Sequence, residues 1–559
     1  MSDKKGIQQI VLSFAALGLK EIVICPGSRN APLVTSFNRH PGFHCTSIRD
    51  ERAAGFFALG KALALKEPVA LLCTSGSAPL NFGPSIAEAY YQKIPLIVLT
   101  ADRPKTWTDQ GDGQTINQTH VFRNYTRFGY ELNGDAASPA DLWFIRRCVS
   151  EGFNNTRFLN PGPVHFNVPM SEPLYRTEHI EDVAPRVFTK ESVENRLGET
   201  TLKKLASVFS SCQKVMILTG QHPTDKGFLN AVIQMSRFDN LIVLTESTSN
   251  IHHPEFIEQI DRCITGLDEV SVQELQPDLL ITVGGAIVSK RIKSLLRNHH
   301  PSFHWHIDPF DSTMDTYQSL TNAISMDPAA FFNQLHPYIN IVSSDYKKKW
   351  LQLKEKKEIR HDHFIGHSKY SDLKVFHEIY QHLPDTTVLH IANSSPIRYA
   401  QLFSQTNETY CNRGASGIDG CTATAMGTAA ALPHKNHLLI TGDVAFHYDV
   451  NGLWNDEHIQ NLKIIIINNG GGGIFRIIEG PDEAEERALF YETAMKTNAE
   501  KIAAHYNWNY LAVKEEQQLT GRLSEFFRSE RKRTILEIFT DADTNPAVLK
   551  AYWASLNES

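Results

Sequence analysis

Gly442-Asp443, and Asn468-Asn469 followed by the run Gly470-Gly471-Gly472-Gly473, are the residues of this chain whose types and spacing point most directly to chemistry. Each cluster follows an apolar run of strand length, 438–441 and 464–467, so both are expected at carboxyl ends of strands, where open α/β sheets place ligands. The stretch between them, 449–458, has helical composition; one crossover of that kind would make the two strands parallel neighbours. An aspartate, an asparagine amide oxygen and a backbone carbonyl from a glycine turn are hard oxygen donors. They suit Mg²⁺, which keeps several waters and shares a phosphate-bearing ligand, so the pattern implies a diphosphate. A lone Gly-Asp after a strand is common and would carry little; the pairing in register carries the inference.

The elements that must position these residues are those of an ordinary globular chain. Its 559 residues imply three or four domains, three being the reading adopted, and 42% hydrophobic with 21% charged residues is unremarkable in either direction. No apolar run approaches the roughly 20 residues that span a bilayer, and the amino terminus lacks a signal peptide's cleavage pattern, so no membrane span and a cytoplasmic location are expected. Eight cysteines, at 25, 45, 73, 148, 212, 263, 411 and 421, are scattered singly; they predict neither a zinc site nor a disulfide framework. A net charge of −7 gives no reason to expect nucleic acid, and the basic run 347–357, interleaved with Glu355, reads as a solvated helix.

Residues 1–185 alternate helix-like segments (8–19, 47–64, 78–91) with strand-like ones (21–25, 69–73, 96–100), a parallel α/β pattern. Pro26-Gly-Ser-Arg29, Thr74-Ser-Gly-Ser77 and Ala101-Asp-Arg-Pro104 end its strands, on the expected ligand face. The polar loop 107–118 that follows is either a binding loop or merely solvated. Residues 186–355 form a second α/β unit with strands at 215–218, 241–245, 279–283 and 303–307. No Gly-x-Gly-x-x-Gly follows any of them, so this unit is read as mainly structural. Its exception is Ser289-Lys290-Arg291, whose cations could meet an anion; the pairs His252-His253, His299-His300 and His304-x-His306 lack acidic or cysteine partners at ligand spacing and read as surface or structural histidines. Residues 356–559 form the third unit, with strands at 388–391, 438–441, 464–467 and 534–538. Before its metal-binding pattern comes the glycine-rich stretch 412–420, ahead of a small-residue helix at 421–431.

The Gly-Asp…Asn-Asn pattern resembles the diphosphate motif of thiamine-diphosphate enzymes. Over its whole length the chain resembles the pyruvate-oxidase-like members of that group, which implies three doubly wound parallel-sheet domains: pyrimidine-binding (1–185), central (186–355) and diphosphate-binding (356–559). The resemblance makes Asp443, Asn469 and the carbonyl of Gly471 ligands of Mg²⁺ or Mn²⁺, and Val444 stands where the wider group often has a second glycine. It makes Glu51 the catalytic acid. A carboxyl group there hydrogen-bonds the aminopyrimidine nitrogen and promotes the tautomer that takes the cofactor's C2 proton; the bland reading of Glu51 is a helix-start acid favoured by the dipole. Further cofactor contacts are implied for Arg413, Gly417, Gly442, Val444 and Ala445, and for Gly472 and Ile474. Ile418 is either plain core or the apolar wedge that bends the cofactor. In this group the cofactor lies between the first domain of one subunit and the third of another, so a homodimer or homotetramer is implied.

A closer resemblance is carried by Pro26-Gly-Ser-Arg-Asn-Ala-Pro-Leu33, Asp50-Glu-Arg-Ala-Ala-Gly55, Thr100-Ala-Asp-Arg-Pro104 and Arg413-Gly-Ala-Ser-Gly-Ile-Asp-Gly420. In this order they are similar to the signatures of the menaquinone-biosynthesis synthases that form 2-succinyl-5-enolpyruvyl-6-hydroxy-3-cyclohexene-1-carboxylate. The resemblance implies a decarboxylating carboligase that joins 2-oxoglutarate to isochorismate. It marks Ser28, Arg29, Arg103, Gln114, Lys290, Arg291, Ser394, Arg398 and Phe475 as substrate contacts, Ser394 and Arg398 toward the donor and Arg29, Arg103, Gln114 and Lys290 toward the acceptor. Gly470 and Gly473 depart from the family, whose members can carry larger polar residues there. Charge agrees independently: both substrates are dianions, and Arg29, Arg103, Lys290, Arg291, Arg398 and Arg413 all fall in ligand-face segments. The alternatives are an acetohydroxyacid-synthase-like carboligase acting on pyruvate, which bound flavin would favour, and a noncatalytic α/β nucleotide-binding protein.

Overall fold

The small-residue segment after Asp50 forms a helix over Glu51–Leu65, buried at every position from Ala53 to Ala62. A helix apolar on all sides needs neighbours all round. One of them is the equally small-residue helix Cys421–Ala431, far away in sequence. The two cross with backbones almost touching: a Cβ added at Gly60 would lie 2.1 Å from the Thr424 carbonyl oxygen, and one at Gly427 2.0 Å from that of Phe57. Thr428 Oγ1 donates to the Gly60 carbonyl at 3.1 Å across this contact.

The computed structural model describes residues 1–179, 184–191, 193, 195–310, 312–455, 459–477, 480, 483–529 and 533–557. Two compact units divide them. One comprises Met1–Val193, Asn412–Lys435 and Tyr448–Leu462, and the other takes the rest of the chain. In the first unit β1 (Glu21–Ile24), β2 (His44–Ser47), β3 (Val69–Cys73), β4 (Leu96–Asp102), β5 (Phe128–Glu131) and β6 (Val164–Pro169) form one sheet in the order β2-β1-β3-β4-β6-β5. Its central strands β3 and β4 are buried at every position, as parallel strands covered on both faces must be.

The second unit holds two sheets. β7 (Val215–Thr219), β8 (Leu241–Thr245), β9 (Leu279–Val283), β10 (Phe303–Ile307) and β11 (Asn322–Ile324) are ordered β11-β10-β9-β7-β8. β12 (Val388–Ile391), β13 (Thr409–Tyr410), β14 (His437–Gly442), β15 (Leu462–Asn468), β16 (Asn509–Val513) and β17 (Thr534–Phe539) are ordered β13-β12-β14-β15-β17-β16. Counted from its own first strand, this order repeats that of the first sheet. The architecture is therefore α/β with three parallel sheets, two of them topologically alike.

In the central sheet the strand order reverses between β7 and β9, where a doubly wound sheet would admit a ligand. Here the loops that follow these strands bond to each other: Gly285 N donates to the Gln221 carbonyl at 2.8 Å and Gln221 N to that of Ala286 at 3.2 Å. The histidines of β10 are structural, His304 Nε2 and His306 Nδ1 both lying 3.0 Å from Thr282 Oγ1. Two local expectations change. The basic run belongs to the helix Tyr346–His367, which is not merely solvated, because Tyr346, Trp350, Lys357, His361 and Ile365 make a buried stripe at helical spacing. In the crossover, helix occupies only Asp443–Tyr448 and 3₁₀ turns follow over Val450–Asn455, while positions 456–458 lie outside the described residues. Asp449 turns inward to accept from Ala423 N at 2.8 Å, capping the Cys421–Ala431 helix, and Gly452 follows; both favour a turn over a continued helix.

Candidate active site

In the second unit the paired pattern becomes one cluster. β14 and β15 are neighbours, so Asp443 and Asn469 stand just beyond adjacent strand ends. Asp443 is buried, with Oδ1 accepting from Val444 N and Oδ2 from Gly471 N, both at 2.8 Å. The glycine turn thus folds back over the aspartate. Gly471 has φ +126°, and a Cβ there would lie 2.4 Å from the Thr493 carbonyl oxygen, so only glycine fits. Burial is the main reason the Asp443 carboxyl is pushed up to about 6; the two backbone N–H groups oppose this and the charge of Asp372 adds to it. Asn469 Nδ2 donates to Asp372 Oδ2 at 2.9 Å. Gly442, Val444 and Ala445 flank the aspartate on the β14 end and the short helix after it, and Gly472, Ile474 and Phe475 continue the turn. Glu492 steadies that turn with two 2.7 Å bonds from Arg476, and it also pairs with Arg487 at 2.9 Å. Asp482 lies outside the described residues.

Ser394 and the cations of this unit lie at other strand ends. Ser394 follows β12 with φ +75°, ψ −129°, a conformation rare outside glycine, and precedes the short helix Ser395–Ala400 that carries Arg398. Lys290 and Arg291 open the helix Lys290–Asn298 beyond β9. Ser289 caps that helix and is gripped from two sides: its N–H donates to Glu246 Oε1 at 2.7 Å and its hydroxyl donates to Asp261. Arg291 and Arg398 both act electrostatically on half-buried Asp261, and Arg291 also stacks on Trp553 at 4.5 Å. Two of the sequence-assigned cations thus share one acid.

The remaining candidates lie in the first unit. Glu51 is the first residue of its helix, which Asp50 caps by accepting from Ala53 N at 3.0 Å. Burial raises the Glu51 carboxyl above its ordinary value, a backbone hydrogen bond opposes part of the rise and the charge of Asp50 adds to it. Ser28 is exposed after β1, while Arg29 is buried and pairs with Glu172 at 3.1 Å. Arg103 pairs with Asp112 at 3.0 Å and donates to the Gly113 carbonyl at 3.1 Å. The loop 107–118 is tied to the strand ends rather than merely solvated: Ser75 Oγ donates to the Gln114 carbonyl at 2.9 Å, and buried Gln118 bonds Gly76 N, the Ala101 carbonyl and Asn167. The stretch that carries Arg413, Gly417 and Ile418 is held by Glu88, whose carboxylate accepts from Gly414 N at 2.7 Å and Ala415 N at 2.6 Å. Ile418 is only partly buried, unlike a core isoleucine.

Sequence reasoning missed Glu88, Gln118, Glu246, Asp261, Asp372 and Glu492. Each is a polar side chain, buried except for half-buried Asp261, placed where ligand-face loops meet. Their signal lies in pairing over long separations, 326 residues for Glu88 with Gly414, and no local motif carries it.

Three family models match the chain. Residues 4–121 match the family model "Thiamine pyrophosphate enzyme, N-terminal TPP binding domain", residues 199–391 match "Middle domain of thiamine pyrophosphate", and residues 394–538 match "Thiamine pyrophosphate enzyme, C-terminal TPP binding domain". The class is therefore that of thiamine pyrophosphate enzymes. Among curated relatives, the 2-succinyl-5-enolpyruvyl-6-hydroxy-3-cyclohexene-1-carboxylate synthase of Flavobacterium johnsoniae is 42% identical over 553 residues, covering 98% of both chains. The synthase of the same name from Bacteroides thetaiotaomicron is 37% identical over 570 residues, covering 100% of both. That of Porphyromonas gingivalis is 37% identical over 567 residues, covering 100% of this chain and 98% of the relative. The chain belongs to the 2-succinyl-5-enolpyruvyl-6-hydroxy-3-cyclohexene-1-carboxylate synthase family.

Proposed function

We propose that this chain is the thiamine-diphosphate-dependent decarboxylating carboligase that joins 2-oxoglutarate to isochorismate, with loss of CO₂, in menaquinone biosynthesis. The observation that carries the reading is the cluster at the ends of β14 and β15: two oxygen-bearing side chains and a glycine turn bonded back onto the aspartate. Its donor set fits a divalent cation. Asp443 is an acid buried beside a second acid, Asp372, and a cation would relieve both. Asp443, Asn469 and the Gly471 carbonyl would hold Mg²⁺ or Mn²⁺ together with the diphosphate. When bound, thiamine diphosphate supplies the electron sink for decarboxylation.

The chain's own residues bind, orient and move a proton. Glu51, partly buried and with a raised pKa, would hold the pyrimidine ring nitrogen through a shared proton. Ile418, on a stretch braced by Glu88, would press on the cofactor, with Arg413 and Gly417 beside it. Arg398 and Ser394 would hold the donor's distal carboxylate; Arg29, Arg103, Gln114 and Lys290 would place the acceptor, and Ser28, Arg291 and Phe475 would be further substrate contacts. Arg29 and Arg103 are each already paired with a carboxylate, Glu172 and Asp112, which holds the guanidinium in place and which a substrate carboxylate would have to share or displace.

The division 1–185, 186–355 and 356–559 remains our reading of the domains, since each stretch carries one sheet. A homodimer or homotetramer with the cofactor at the subunit interface, in the cytoplasm, completes the proposal. Exposed Leu489 and Phe490, beyond the glycine turn, support a covering partner. Among the described residues no helix is long and apolar enough to cross a membrane.

The test is a coupled assay of isochorismate loss and CO₂ release with 2-oxoglutarate, thiamine diphosphate and Mg²⁺. Cofactor-dependent loss of both substrates is expected, and Glu51→Gln should lower the rate by about 10²–10⁴-fold while the protein stays folded. Isochorismate left untouched while pyruvate is consumed would overturn the substrate assignment.

A further inference from the structure

We infer that Asp372 is a positioning residue for the divalent-cation site: it fixes the orientation of the Asn469 amide and adds a negative charge behind the ligands. The inference rests on the functional reading above and deepens it.

Asp372 is 1% exposed and opens the helix Asp372–His382 in the second unit. Its oxygens are both engaged. Oδ1 accepts from Thr540 Oγ1 at 2.6 Å, and Oδ2 accepts from Asn469 Nδ2 at 2.9 Å. Asn545 locks the arrangement, its Oδ1 accepting from Asp372 N at 2.8 Å and its Nδ2 donating to Thr540 Oγ1 at 3.1 Å. An ionised carboxylate only accepts hydrogen bonds, so Asn469 must turn its NH₂ toward Asp372. The amide oxygen then faces away from Asp372, and among the described residues it has no donor. An amide free to rotate would have to be turned oxygen-first by the cation itself, at a cost in affinity. One held by a carboxylate presents oxygen. Asp372 also lies within electrostatic reach of Asp443, so that two buried acids share the neighbourhood of one site. Partners of this kind, one shell behind the ligands, typically control metal affinity.

The test measures Mn²⁺ binding to the full-length protein by electron paramagnetic resonance, with thiamine diphosphate present and no substrate, and follows thermal melting in parallel. Asp372→Asn keeps an acceptor for Asn469 but removes the charge; Asp372→Ser removes both and keeps a residue suited to a helix start. The expected result is a Mn²⁺ dissociation constant weakened about 10–100-fold, more in Asp372→Ser than in Asp372→Asn. Thr540→Val, which leaves the Asp372–Asn469 contact in place, should lower the melting temperature without a comparable loss of Mn²⁺. If Asp372 served only to anchor its helix, melting would fall and Mn²⁺ affinity would stay within about twofold of the parent, and that outcome overturns the inference. Should one Asp372 variant fail to fold, the other decides. A parent protein that binds no Mn²⁺ with thiamine diphosphate overturns the functional reading itself, a result distinct from unchanged variants of a parent that does bind.

Discussion

Ser394 holds a backbone conformation that non-glycine residues avoid, at a cost of about 1–3 kcal/mol, and it does so beside Arg398 at the end of a buried strand. Strain kept at such a place has a use if the hydroxyl binds substrate. Ser394→Gly should therefore raise stability by about 1 kcal/mol, read from the denaturation midpoint, while weakening the apparent affinity for 2-oxoglutarate. A variant that is less stable than the parent would refute the strain argument. At this scale the sequence was legible where chemistry is local: Asp443 and Asn469 are announced by glycines and strand ends, whereas Glu51 at its helix start reads as a dipole acid until the family resemblance singles it out. Asp372 and Glu88 were not, because a buried acid that accepts two hydrogen bonds from distant loops looks in sequence like any surface carboxylate.

At the scale of elements, the strands buried on both faces were readable as apolar runs, β3, β4, β9 and β15 among them. Apart from β8, the edge strands were not. β2, β5 and β13 are two to four residues long and mostly polar or half exposed, and they take strand geometry from the neighbour they pair with. β6 hid differently: His165 and Asn167 break its apolar run, yet they satisfy Thr100 and Gln118 inside the sheet. The crossing of Glu51–Leu65 with Cys421–Ala431 provides the element-level prediction. Alanine in place of Gly427 would gain about 1 kcal/mol of helix propensity, but its Cβ would meet the Phe57 backbone at 2.0 Å, and overpacking of this kind costs about 1–3 kcal/mol. Backbone cannot rotate aside as a side chain can, so Gly427→Ala should lower the urea midpoint. An unchanged or higher midpoint would show that the helices can separate freely.

For the whole molecule, pH sets buried histidines against buried acids. Burial holds His165 and His361 down to about 3 and His304 to about 4, and lowers His390 far below its ordinary value. These four stay neutral in the fold, whereas the unfolded chain protonates them below about pH 6.5, so they withdraw stability as pH falls. Glu246 and Asp449, raised to about 7, and Asp443, at about 6, act in the opposite sense, taking up protons in the fold first. The two groups nearly offset each other between about pH 7 and 6. Below that the two groups go on opposing each other, because burial also raises the carboxyls of Glu51, Asp102, Asp261 and Asp372, while near pH 4 acids held below their ordinary value, Asp135 among them, lose their contribution, so the melting temperature should change little from pH 7 to 5 and fall steeply near pH 4. Melting curves at half-unit intervals would check this, and a steady rise in stability from pH 6 to 4 would contradict it. The composition of the first unit matters at this scale too, because it joins Met1–Val193 to two stretches made much later, Asn412–Lys435 and Tyr448–Leu462. Thr428 meets Gly60 across a separation of 368 residues, and at ribosomal rates of about 5–20 residues per second that interval lasts roughly 20 to 70 s. During translation the mostly apolar Glu51–Leu65 helix therefore waits for its partner helix, and the nascent chain is an obvious client for chaperones that shield such surfaces until synthesis catches up.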